Sequence, residues 1–237
     1  MLAVFVNMAA VFVGSLLGIF FRDRLRESIQ HALIIALGLC TAVIGVSGAV
    51  ATENVLCVII CMALGTVLGE LIRIDDAIEN AGEYFKKKLV KNSDSQSRFT
   101  EGFVTACIMF CVGSMTIVGS LEAGIHKDYS IIFAKSTLDF VSSMALGAAM
   151  GFGVTCSVAF ILVMQGGITL LAGAVSPFLS DAVVREMSAI GGTILIGMAA
   201  NMLGLAKERI KIANMLPAVF LPIAYFPFLE FIKSLIK

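Results

Sequence analysis

The sequence predicts an all-α protein, a polytopic bundle of about eight transmembrane helices, and three observations predict it. Apolar residues make up 59% of the 237-residue chain and charged residues only 14%. Soluble domains carry about 45–50% and about 25%. The charges lie between long uncharged runs, each near the roughly 20 residues a helix needs to cross a hydrocarbon core about 30 Å thick. Finally, the basic residues concentrate on alternate loops, as the positive-inside rule requires of a membrane bundle. The net charge of zero recommends no nucleic-acid partner. The surroundings expected are the lipid bilayer.

Met1–Phe21 has no charge and no basic segment before it, so it reads as a retained first span rather than a signal peptide. His31–Thr52 is the second span, and Asn54–Gly69, extended through Leu71 and Ile72, is the third. Gly102–Leu121 is the fourth. Tyr129–Val175 holds only Lys135 and Asp139 as charges in 47 residues, which is room for two spans with a turn near Gly151–Gly153. Met187–Ala206 and Ile212–Leu229 are the seventh and eighth. With this count, loops 22–30, 73–101 and 204–211 share one side and carry twelve basic residues, against four on the other. Those loops are therefore expected in the cytoplasm and both termini outside. The chain reads as one transmembrane domain, 1–237.

Within it, residues 73–98 form the one long polar stretch. Ile74, Ala77, Ile78, Ala81, Phe85 and Leu89 recur at helical spacing, with acidic residues early and Lys86–Lys88 late. This predicts a cytoplasmic amphipathic helix followed by a flexible tether. Glycines four apart (Gly14 and Gly18, Gly65 and Gly69, Gly147 and Gly151) allow close helix crossings. They serve either packing within the chain or a homo-oligomer, and a bundle of eight helices already needs many close crossings. Gly14-Ser-Leu-Leu-Gly18 and Gly147-Ala-Ala-Met-Gly151 also hint at a weak internal repeat, although the intervals to other matching glycines differ by one residue.

Ionisable groups inside a span are costly and mark cavities or partners. Lys135 and Asp139 are i,i+4 neighbours on one helical face, with Ser136 and Thr137 between them. Gln165-Gly166-Gly167 is expected to break the sixth span and expose backbone groups at membrane depth. Asn7, Asn201 and Ser114 add amides and a hydroxyl within other spans. The candidate substrate- or ion-binding set is therefore Asp139, Lys135, Gln165, Asn201, Asn7 and Ser114. Each alone suits an interhelical hydrogen bond, and Lys135 could also snorkel towards Tyr129. Together they suit a small polar or ionic solute.

Cys57 with Cys61 and Cys107 with Cys111 stand four apart, yet no Met-rich or His-rich loop accompanies them, so neither a metal nor a cofactor is expected. No phosphate-binding glycine loop, metalloprotease motif or paired nucleophile is present, and no enzyme activity is expected.

The chain resembles a bacterial integral-membrane family known as domain of unknown function 554, nearly end to end. The resemblance rests on Asn7 with Gly14-Ser-Leu-Leu-Gly18, on Leu68-Gly-Glu-Leu-Ile-Arg-Ile74, and on Glu101-Gly-Phe-Val-Thr-Ala106. It continues through Phe110-Cys-Val-Gly113-Ser114 up to Glu122, Ala134-Lys135-Ser-Thr-Leu-Asp139, Gln165-Gly-Gly-Ile-Thr-Leu-Leu171, Asn201-Met-Leu-Gly204 and Asn214-Met-Leu-Pro217. It implies a polytopic inner-membrane protein of the transport-related kind and supplies neither substrate nor site. The function expected is secondary transport of a small polar or ionic solute, coupled to H⁺ or Na⁺ at Asp139. The alternatives are an ion channel, a membrane enzyme, or a non-catalytic subunit that docks a partner through residues 73–98.

Overall fold

The computed structural model describes residues 1–22, 27–77, 80, 96–111 and 114–236. Its helices are α1 (Leu2–Arg22), α2 (Glu27–Ala49), α3 (Val55–Ile72), α4 (Gln96–Cys111), α5 (Ser114–Ile125) and α6 (Ser130–Met150). They continue as α7 (Phe152–Ile161), a π turn at Leu162–Gly166, α8 (Gly167–Leu170), α9 (Ala172–Val175) and α10 (Asp181–Met202). A 3₁₀ segment, Ile212–Phe220, leads into α11 (Pro222–Ile236). No strand occurs among the described residues, so the bundle is all-α. Most of the amphipathic helix and tether expected over 73–98 lies outside the described residues.

Six helical stretches are long and apolar enough to cross a membrane, and the bent pair α4–α5 makes a seventh. The remaining expected span is α2, whose apolar part, Ile34–Ala49, is shorter. Its sequence order matches the reading of about eight segments. Between the two halves of the bent pair the axis turns by 55°. The Thr116 hydroxyl donates to the Phe110 carbonyl at 2.8 Å, giving a partner to one carbonyl freed at the end of α4.

Glycines decide which helices touch. A methyl built on Gly18 would stand 2.0 Å from the Met144 carbonyl oxygen, and one on Gly147 would stand 2.4 Å from the Ser15 carbonyl oxygen. Since Gly14 meets Ser143 and Gly18 meets Ala148, α1 and α6 run parallel with backbones in contact. Similarly, α4–α5 and α7–α9 run parallel, through Gly153 against Phe99 and Gly124 against Thr169. By contrast, Gly45 and Gly38 of α2 meet Ile196 and Leu203 of α10, an antiparallel pair. Gly65 and Gly69 of α3 meet Ala218 and Asn214, also antiparallel. All three glycine pairs singled out in the sequence include close contacts within the chain.

Local chemistry closes the helices. Gly151 ends α6 at φ +81°, a conformation that a side chain at Cβ disfavours, and it lies beside the Arg22 guanidinium. Asn54 caps α3 by accepting from the Cys57 N–H at 3.0 Å, and Ser180 caps α10 by accepting from that of Val183 at 3.4 Å. Before α6, Asp128 accepts from both the hydroxyl and the N–H of Ser130, which hold its carboxyl below the usual carboxylate range.

Outward surfaces are apolar, as a bilayer demands. Leu71 is 76% exposed and Val163 68%, amid a belt that includes Phe12, Phe20, Ile59 and Leu64. Inside, Phe110, Ile117, Leu146, Ile161, Ile190 and Ile194 form the core between α4–α5, α6, α7 and α10.

Candidate functional site

The site lies where the bend between α4 and α5 faces the middle of α6 and where α1, packed on α6, meets the π turn. Asp139 is nine residues into α6, about 14 Å along its axis at about 1.5 Å per residue. That is close to the midpoint of a hydrocarbon core about 30 Å thick. Lys135, one turn earlier, donates from Nζ to Asp139 Oδ2. Both side chains are buried, with only 5% and 6% of the two residues exposed, so neither snorkels to an interface. The ammonium lies 5.8 Å from the centre of the Phe110 ring. Cys111, the last residue of α4, is also close enough to feel both charges. The carbonyl end of a helix favours a cation, so the break after Cys111 suits Lys135.

From the other side, α1 supplies Asn7 and the π turn supplies Gln165, both fully buried. Asn7 Nδ2 donates to Gln165 Oε1 at 3.1 Å across 158 residues of sequence. The Asn7 carboxamide also lies against the Asp139 carboxylate. Asn7 thus links the two amides to the ion pair. Asn7 Oδ1 and Gln165 Nε2 have no hydrogen-bond partner among the described residues. An orphaned acceptor and an orphaned donor, fully buried, each cost about 1–3 kcal/mol. Four of the six residues proposed from the sequence therefore meet in one place.

Gln165 arrives there by a route that corrects the expected helix break. Leu162–Gly166 keeps αR dihedrals and widens into a π turn, and the helix continues from Gly167 to Leu170. In hydrocarbon an unwound segment would strand amides and carbonyls, whereas a π turn preserves most of their bonds. Such turns recur at functional sites. The sharper interruption in the span region is the bend between α4 and α5.

The other two candidates are placed differently. Ser114 opens α5, and its side chain lies outside the described set. Asn201, near the end of α10, spends both amide functions on one backbone. Its Nδ2 donates to the Ile210 carbonyl at 2.9 Å, and its Oδ1 accepts from the Ile210 N–H at 3.0 Å. It is a clasp for the turn after α10 and is not part of the Lys135–Asp139 cluster. Asn201→Leu is expected to lower stability by about 1–3 kcal/mol through those two bonds, read as a lower melting temperature of the detergent-solubilised protein. Ligand affinity at Asp139 should be unchanged. Thr137 is exposed and donates back to Phe133 at 3.3 Å, so it turns away from the ion pair.

Two buried acids went unrecognised in the sequence. Glu186, 1% exposed, accepts from the Thr52 hydroxyl at 2.5 Å and from the N–H groups of Glu53 and Asn54 at 2.9 and 3.2 Å. It clamps the α2–α3 turn onto α10, and Arg185 pairs with Glu53 beside it at 2.6 Å. The helix begins at Asp181, so Glu186 falls inside it and just ahead of the uncharged run from Met187. At the opposite end, the Asp75 N–H donates to Asn214 Oδ1 at 2.7 Å, and Asn214 Nδ2 donates to Glu70. Arg209 stands 3.7 Å from the Asp75 carboxylate. A cavity of about 550 Å³ opens between α2, α4–α5 and α10 beside Ser47, Arg185 and Ser188, and it includes none of the four clustered residues.

The family model described as "Protein of unknown function (DUF554)" matches residues 2–226. The "Uncharacterized membrane protein YdfK" of Bacillus subtilis (strain 168) is 28% identical over 220 residues, covering 91% of either chain. The "Uncharacterized protein YqgA" of Escherichia coli (strain K12) is 27% identical over 221 residues, covering 92% of either chain. No solved structure matches.

Proposed function

We propose that this chain, which belongs to the DUF554 family, is a secondary transporter that carries a small polar or ionic solute across a bacterial cytoplasmic membrane. The observation that carries this reading is the Lys135–Asp139 pair at mid-depth, joined through Asn7 to a π turn at Gln165. Charges in hydrocarbon are expensive and are kept where they act on something that passes. Asp139 is the group that takes up the coupling H⁺ or Na⁺. The side rich in basic residues faces the cytoplasm, which puts both termini outside. Access alternates by rocking of the α1–α6 pair against the remaining helices, with the cluster as the fixed point. The function is non-catalytic, and the partners are lipid and solute.

The test is flux through the full chain in proteoliposomes, with wild type and Asp139→Asn compared at equal incorporation. Wild type is expected to give saturable accumulation driven by a pH or Na⁺ gradient, and the variant none. A large ohmic current through the wild type would establish a channel in place of a transporter. Unchanged kinetics in the variant would remove Asp139 from the mechanism.

A further inference from the structure

The four clustered residues also constrain the ligand, and this step rests on the transport reading. Their charges sum to zero, one ammonium against one carboxylate. Before Asp139 takes up the coupling ion, a solute with a single charge entering this site would add an uncompensated charge at membrane depth, where no water screens it. A neutral amide would use only the orphaned Asn7 Oδ1 and Gln165 Nε2. It would draw nothing from the ion pair, whose two desolvated charges two apolar side chains of similar volume could replace at no loss.

A molecule carrying both charges uses all four groups. Its ammonium needs an acceptor, which the Asp139 carboxylate supplies, and the unpartnered Asn7 Oδ1 is a further acceptor on the adjoining helix. Its carboxylate needs donors, and Lys135 Nζ and Gln165 Nε2 are donors with capacity to spare. Because Lys135 and Asp139 are in direct contact, the inserted charges must be close together. We infer that the site takes a small zwitterion of the α-amino acid class, which divides the Lys135–Asp139 pair and replaces one ion pair by two.

The experiment measures equilibrium binding to the purified full chain in nanodiscs. Its probes are a radiolabelled pool of the standard α-amino acids and, separately, acetate, methylammonium and acetamide. Wild type is expected to bind members of the pool saturably and the three fragments at least about tenfold more weakly. Single charge removals risk misfolding, so the decisive variant is the neutral pair K135Q/D139N, with monodispersity as the folding control. It should weaken binding of the pool about 100-fold. Gln165→Met, which leaves both charges in place, should weaken it about tenfold. Tighter binding of acetate, methylammonium or acetamide, lost in K135Q/D139N, would overturn the zwitterion while upholding the site. Binding of none of the probes would also overturn it, and the flux comparison above then decides the transport reading separately. Pool binding unaffected by K135Q/D139N would overturn both.

Discussion

Asp139→Leu is expected to be among the most destabilising single substitutions in this protein, and adding Lys135→Met should rescue it. The wild-type pair neutralises itself inside the bundle, with Lys135 Nζ on Asp139 Oδ2 and little of either residue exposed. Removing the carboxylate leaves an ammonium beside Phe110 and Cys111, with no other counter-charge in contact among the described residues. Breaking a buried pair in this way costs about 3–5 kcal/mol. Replacing both members by apolar groups of similar volume is neutral, or stabilising by about 1–4 kcal/mol. The measurement is thermal unfolding of the full chain in one detergent. The single variant should melt on the order of 10 °C below wild type, and the double variant at or above it. The two signs together carry the meaning. A pair that stability would rather lose is retained for what it binds. If the double variant were as unstable as the single one, the pair would instead be a structural element, and the case for a binding site would lose its main support.

The same residues explain how much could be read in advance. Spans were legible because hydrocarbon imposes length and forbids charge, two conditions that a linear sequence displays directly. Lys135 and Asp139 were legible for the same reason, as exceptions within such a run. Their meeting with Asn7 and Gln165 was not, because it depends on which helices pair. Gly14, Gly18 and Gly147 announce close approach without naming the partner, and the parallel α1–α6 contact emerges only when Ser143 and Met144 are seen opposite them. Where a helix breaks is hidden on similar grounds. Two consecutive glycines at 166–167 weaken a helix, but in lipid the backbone keeps its bonds by widening to a π turn. The bend between α4 and α5 occurs where the Thr116 hydroxyl gives a partner to a freed carbonyl. Composition cannot reveal that compensation. Glu186 escaped for a related reason. Its acceptors' work is done on the backbone of Glu53 and Asn54, more than 130 residues away, and backbone donors leave no mark in a sequence.

Gly18→Val should separate α1 from α6 and carry the site away with it, whereas Gly167→Ala should leave the fold intact. At Gly18 a methyl would stand 2.0 Å from the Met144 carbonyl oxygen and 2.8 Å from the Ala148 nitrogen. Both are backbone atoms, so no rotamer change relieves the clash and one helix must move as a body. Overpacking costs about 1–3 kcal/mol where side chains can adjust, and this contact lies at or beyond the upper end. Asn7 is eleven residues along the same rigid helix, about 16 Å from the wedge. Forcing the helices apart at Gly18 tilts α1 and withdraws Asn7 from Asp139 and Gln165. Lower melting temperature and lost ligand affinity are expected together. At Gly167 nothing lies within 4 Å of an added methyl, and alanine favours the helix over glycine by about 1 kcal/mol. Gly167→Ala is therefore expected to melt at or slightly above wild type. Its transport rate then reads something the resting structure does not require. Slower flux with unchanged binding would place Gly167 in the rocking step, where the π turn repacks as access alternates. Unchanged flux would show that the turn stays rigid while the α1–α6 pair rocks against the remaining helices.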